Sequence, residues 1–100
     1  MPLCRALTVQ DYTAARALYE VLSTGASLPD EAEGAAAFET LLSHPGTSVF
    51  AALRGEQLVS MATLHILPNM TYNARPYGLI ENVATLSAFE GQGYGRAVMQ

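Results

Sequence analysis

Three glycines at alternate positions, Gly91, Gly93 and Gly95, follow an apolar run and precede Arg96-Ala97-Val98-Met99-Gln100, which reads as the start of a helix. Glycine admits positive φ and leaves no Cβ in the way of an approaching group. A loop that feeds a helix start leaves several amide N–H groups without partners. Those donors and the positive end of the helix dipole suit a phosphate. The spacing alone is equally consistent with a plain strand-to-helix turn. Either way the chain places a strand, a tight loop and a helix in succession, so sheet and helix share one fold.

Two well-known glycine loops fit poorly. The dinucleotide fingerprint spaces its glycines as G-x-G-x-x-G, and here the third glycine comes one residue early. The Walker loop needs Gly-Lys-Ser/Thr, and the sequence contains no Lys.

Upstream, the apolar period changes once. Leu3 to Leu7 reads as a short strand. Thr8 and Asp11 offer oxygens for helix caps, and Ala15, Leu18, Tyr19 and Leu22 then recur at helical spacing. Thr24-Gly25 reads as the end of that helix, and Ser27 to Asp30 as a turn. A second helix is expected over about Glu31 to Ser43, with Ala35, Phe38, Leu41 and Leu42 on its apolar face. Its acidic start, Glu31 and Glu33, suits the helix dipole, and His44-Pro45-Gly46 stops it. From Thr47 the period is two. Thr47 to Leu53 and Gln57 to Leu67, joined at Arg54-Gly55-Glu56, predict an antiparallel hairpin. Pro68 to Pro76 reads as a polar loop. Tyr77 to Leu86 is apolar on both faces apart from Glu81, Asn82 and Thr85, which predicts a central strand covered on both sides.

Composition narrows the function classes. With half its residues hydrophobic and 14% charged, the chain cannot be mainly disordered. A length of 100 residues suits one domain. The net charge of −4, with only five basic residues, argues against a nucleic-acid binder, which needs a clustered positive surface to neutralise phosphates. Cys4 is the single cysteine, so neither a disulfide framework nor a multi-cysteine zinc site is available, and with two separated His no metal is expected. No leader pattern or membrane-length apolar run is present, so no membrane association and a cytoplasmic location are expected. Sixteen Ala and no Lys suggest a bacterial source.

The stretch Leu79-Ile80-Glu81-Asn82-Val83-Ala84-Thr85 through Glu90-Gly91-Gln92-Gly93-Tyr94-Gly95-Arg96-Ala97-Val98-Met99 resembles motif A of the GNAT superfamily of N-acyltransferases. In that motif a strand leads into Arg/Gln-x-x-Gly-x-Gly/Ala at a helix start. The upstream order of elements also resembles the first half of that fold. The resemblance implies an α/β fold of α+β type. Its sheet is mixed but mainly antiparallel, with flanking helices, in the order strand, helix, helix, three strands, glycine loop, helix. It also implies acetyl-CoA as co-substrate and direct acetyl transfer to a primary amine on a small molecule or peptide. The diphosphate would lie on the amides of Gln92, Gly93, Tyr94, Gly95 and Arg96. The pantetheine arm would pair with Val83, Ala84 and Thr85, and an N–H near Val83 or Ala84 would hold the acetyl oxygen. Two departures stand out. Glu90 replaces the usual Arg or Gln at the first motif position. The family's later helix, strand and closing elements, with the Tyr that often protonates the leaving thiolate, are absent, so residues 1–100 are expected to form one domain incomplete at its C-terminal side.

Glu81 is the candidate general base, as a buried mid-strand carboxylate beside the expected acetyl position. The alternative is a structural carboxylate bonded to Asn82, Arg75 or a backbone amide. His65 is a candidate to line the acceptor site, or a satisfied structural His. Arg75, in the loop before the motif strand, is a candidate to attract an anionic substrate group. Cys4 is expected to be a small buried hydrophobe. A second function class stays open. The motif strand would expose an apolar edge, and such an edge is a template for association. The chain could then be a non-catalytic acyl-CoA-binding or interaction module, including a homodimer.

Overall fold

The computed structural model describes residues 3–22 and 28–100. Strands β1 (Leu3–Ala6), β2 (Thr47–Arg54), β3 (Gln57–Leu67) and β4 (Tyr77–Thr85) pair antiparallel in that order. Helices α1 (Tyr12–Leu22) and α2 (Glu31–Ser43) cover one face. A short helix, Tyr94–Met99, covers part of the other. This is the expected mixed fold with its expected element order.

Asp11 fixes the entry to α1. Its carboxylate accepts the Thr8 backbone N–H at 2.8 Å and a two-pronged contact from Arg5 at 2.8 and 2.9 Å. The Arg5 guanidinium draws the Asp11 pKa down to about 2. Ala15 and Leu18 of α1 are fully buried, and Tyr19 and Val21 pack beside them, whereas Leu22, expected in the core, is 42% exposed. The expected cap at Thr24-Gly25 and the start of the following turn lie outside the described residues.

In α2, Asp30 accepts the Glu33 N–H at 2.9 Å as N-cap. The buried face is set by Gly34 and Phe38, with Leu41 and Leu42 partly buried. Ala35, expected on that face, is exposed. The face is rotated toward Gly34 because Tyr12 comes in against that glycine, where a Cβ would collide with the phenol oxygen.

Val49 and Ala51 of β2 and Met61 and Thr63 of β3 face the two helices and are buried. Ser60 and Ala62 face the other way and are buried too. The strands covered on both sides are therefore β2 and β3. The expectation for β4 is corrected. It lies at the end of the strand order, and all its residues before Ala84 are exposed, including Tyr77, Leu79, Ile80 and Val83. Apolar residues on both faces of a strand report what could cover it, not what does.

Two further expectations change. Cys4 is exposed, because β1 is the other edge of the sheet. The polar loop before β4 contains a left-handed turn, with φ of 54°, 59° and 61° at Tyr72, Asn73 and Ala74. Among the described residues, no helix is long and apolar enough to cross a membrane.

Candidate active site

The site grows from an irregularity in β4. Met61 pairs with Ala84 and Thr63 with Glu81, so Ala62 faces two residues, Asn82 and Val83. This is a β-bulge, and such an extra residue bends its strand. Asn82 carries the turn with φ +52°, a left-handed conformation that asparagine tolerates better than most residues. Beyond the bulge, Ala84 returns to the core at 4% exposure.

Ser60 pins the end of the strand. Its buried hydroxyl donates to the Ala84 carbonyl at 3.0 Å and lies 2.8 Å from Thr85 Oγ1. The Leu86 N–H donates to the Val59 carbonyl at 2.9 Å, so pairing continues just past the strand. A single turn, Ser87–Phe89, then leads into the glycines. Phe89 meets Tyr94 edge to face at 5.9 Å, and the Arg54 guanidinium lies over the Phe89 ring at 5.5 Å.

Gly91 and Gly93 adopt φ of +76° and +86°, and a Cβ on either would point into open space. Gly95 differs. A Cβ there would make an ordinary contact, 3.4 Å from Thr85 Oγ1, so the helix start lies beside the strand end. The Gly93 carbonyl accepts the Ala97 N–H at 3.0 Å and begins the helix. Among the described residues, no amide from Gly91 to Arg96 donates to a backbone or side-chain acceptor. Glu90 and Arg96 are exposed, and neither has an ion-pair partner among the described residues.

Glu81 stands one residue before the bulge. It is exposed rather than buried as expected, because β4 is an edge strand among the described residues. It makes no bond to Asn82, Arg75 or a backbone amide. The register puts His65 on the same face, since His65 pairs with Leu79 two residues from the Thr63–Glu81 pair. Its Nδ1 lies 2.8 Å from Thr47 Oγ1, which is 3.2 Å from His44 Nδ1. Arg75 is not brought to this face's cavity; it lines a separate cleft with Asn69, Tyr72, Pro76 and Tyr77.

Two cavities flank β4. One, of about 380 Å³, lies between the Tyr94–Met99 helix and the sheet, beside Phe50, Ala62, Leu64 and Ile80. The other, of about 180 Å³, lies between α1 and α2 and reaches Asn82. In its wall, burial raises the Tyr19 phenol pKa, and the nearby Thr63 hydroxyl opposes that shift. Among the described residues, neither oxygen closes a hydrogen bond. Among the described residues, no three His, Cys, Asp or Glu side chains gather as a metal site requires.

A strand that leads through a glycine loop into a helix start is the arrangement motif A implied, and the Acetyltransferase (GNAT) family model matches residues 12–100. The chain belongs to this GNAT family. A putative acetyltransferase from Agrobacterium tumefaciens str. C58 is 41% identical, with a TM-score of 0.91 over 97% of this chain and 67% of that one. An acetyltransferase from Trypanosoma brucei, 23% identical, shares the fold with a TM-score of 0.80 over 99% of this chain and 70% of its own. The glucosamine-6-phosphate N-acetyltransferase of Arabidopsis thaliana, 19% identical, does so with 0.80 over 99% and 69%. A search of the curated proteins returns no match.

Sequence reasoning missed three features of this GNAT site. Asn82, a polar residue inside an apolar strand, was the available cue to the bulge. Gly34, a glycine inside a helix, was the cue to the close approach of Tyr12. Arg54 gave no cue, because only the folded hairpin brings it over Phe89.

Proposed function

We propose that the chain is an acetyl-CoA-dependent N-acetyltransferase that moves an acetyl group directly to a primary amine of a small molecule or peptide. The observation that carries this reading is the row of unpartnered amides from Gly91 to Arg96 beside the bulged end of β4. Membership of the family supports the acetyl transfer.

The residues present fit the coenzyme. The amides of Gln92, Gly93, Tyr94, Gly95 and Arg96 are free to donate to a diphosphate, and the exposed Arg96 guanidinium offsets the Glu90 carboxylate at the loop's start. Screening by water keeps that carboxylate's penalty small at such an exposed place. The outer backbone edge of Val83, Ala84 and Thr85 pairs with no strand among the described residues, so it is open to the pantetheine amides. Acetyl-CoA supplies an acetyl group activated as a thioester.

This chain's residues then do three things. The bulge aims an N–H of Val83 or Ala84 at the carbonyl oxygen and stabilises the charge that grows there. Glu81, directly or through water, takes the proton of the acceptor ammonium and frees its lone pair. His65 lines the same face. The amine nitrogen forms the new C–N bond as the C–S bond breaks, and a proton goes to the departing sulfur.

Calorimetric titration with acetyl-CoA tests the reading. Binding by the wild-type chain that Gly93→Val abolishes is expected, because valine is strained at φ +86° and its side chain fills the open side of the loop. No binding at millimolar coenzyme, or unchanged affinity in the variant, overturns it.

The exposed apolar residues of β4 favour a second reading, an acyl-CoA-binding module that associates through this edge, including with its own copy. Light scattering separates the two: a monomer at high concentration counts against association.

A further inference from the structure

The cavity between α1 and α2 is lined by Tyr12, Tyr19 and Phe38, with Pro29 and Ala37 beside them, and it reaches the exposed Asn82. Asn82 is also the bulge residue, so this cavity opens beside the place where the Val83 and Ala84 amides would hold the acetyl oxygen. The rings are fixed against each other, with Tyr12 and Tyr19 at 5.6 and 6.3 Å from Phe38. Arg16 is the charged residue in the lining, and its Nη1 is held by Tyr12 Oη at 2.7 Å and the Pro29 carbonyl at 3.0 Å. Glu20 and Glu31 stand outside the lining and act on Arg16. No carboxylate lines the cavity among the described residues. The Asn82 side chain makes no hydrogen bond within the described residues, which leaves its carbonyl oxygen available to an amine N–H.

From these features we infer that this cavity is the acceptor's side-chain pocket and that the acceptor is a primary amine carried on an aryl or branched-alkyl group. The inference rests on the acetyltransferase reading and adds the class of its amine. The volume agrees: a cavity of about 150 Å³ holds a benzene ring, and this one is about 180 Å³. The apolar walls reward burial of such a group. A polycation finds the fixed Arg16 guanidinium and no anion in the lining. The amine end reaches Asn82, on the same strand as Glu81 and one residue from Val83.

The test uses 2-phenylethylamine and spermidine as probes, with binding to the full chain read by ligand-observed NMR and acetyl-CoA binding read separately by calorimetry. Ala37→Leu fills the cavity from an exposed helix position, so it leaves the core intact. The expected result is that 2-phenylethylamine binds more tightly than spermidine and that Ala37→Leu weakens it by about tenfold or more, as steric filling of an apolar pocket does. Acetyl-CoA affinity should stay at the wild-type value in that variant. Spermidine binding as tightly as 2-phenylethylamine, or an unchanged 2-phenylethylamine affinity in Ala37→Leu, overturns the pocket assignment. Loss of acetyl-CoA binding by the wild-type chain instead overturns the acetyltransferase reading, and the amine titrations remain readable without it.

Discussion

Two single residues carry local demands that their types answer. Asp11 holds Arg5 and the Thr8 N–H together, and its pKa of about 2 lies below the ordinary carboxylate value of about 3.9. A depressed folded pKa means that the ionised form stabilises the fold. That contribution is complete above the unfolded value and is lost as pH falls through about 2. Urea unfolding of wild type and Asp11→Asn should therefore show a stability gap at pH 5 that narrows as pH falls toward about 2, where the wild type is losing the same contacts. Gly34 answers a different demand, space for the Tyr12 ring. Alanine would gain about 1 kcal/mol of helix propensity there, but overpacking against a ring pinned by Arg16 and Phe38 costs about 1–3 kcal/mol. Thermal unfolding should show Gly34→Ala to be net destabilising; a stabilised variant would mean that Tyr12 swings away freely.

At the scale of elements, the bulge sets the course of the end of β4, and its backbone makes a sharp prediction. Asn82→Ala should cost about 1 kcal/mol because L-residues with a full Cβ resist the left-handed region, whereas Asn82→Gly should be close to neutral in denaturant unfolding. How much of the fold was legible follows from the same contrast. Helix α2 and strand β3 were readable to their ends, since one has a cap and an apolar face and the other a hairpin turn and a β-rich run. The glycine loop was readable because only glycine sits easily at its positive φ angles. The bulge was not, because period-two patterning counts no extra residue and Asn82 is its sole mark. The exposure of β4 was not legible either, since hydrophobicity records an affinity for cover without naming what provides it. The burial expected of Glu81 was inferred from apolar neighbours that turned out to face solvent.

On the scale of the whole molecule, the sheet separates two tasks. Helices α1 and α2 wall the aromatic cavity on one face, and the Tyr94–Met99 helix lies against the other, beside Ser60 and Thr85. Ser60→Ala should cost about 1–3 kcal/mol by stripping buried bonds from Ala84 and Thr85; in calorimetry it should also weaken acetyl-CoA, because the strand end and the loop no longer share an anchor. If association through β4 occurs, Ile80→Lys should abolish it in light scattering, since a charge on an edge strand opposes pairing. Asn82 joins two features of this arrangement: its main chain forms the bulge of β4, and the residue lines the aromatic cavity. On the proposed pocket assignment, anyone seeking to retarget the enzyme should leave position 82 untouched and diversify the wall at Ala37. Selectivity can drift there without dragging the transfer machinery along.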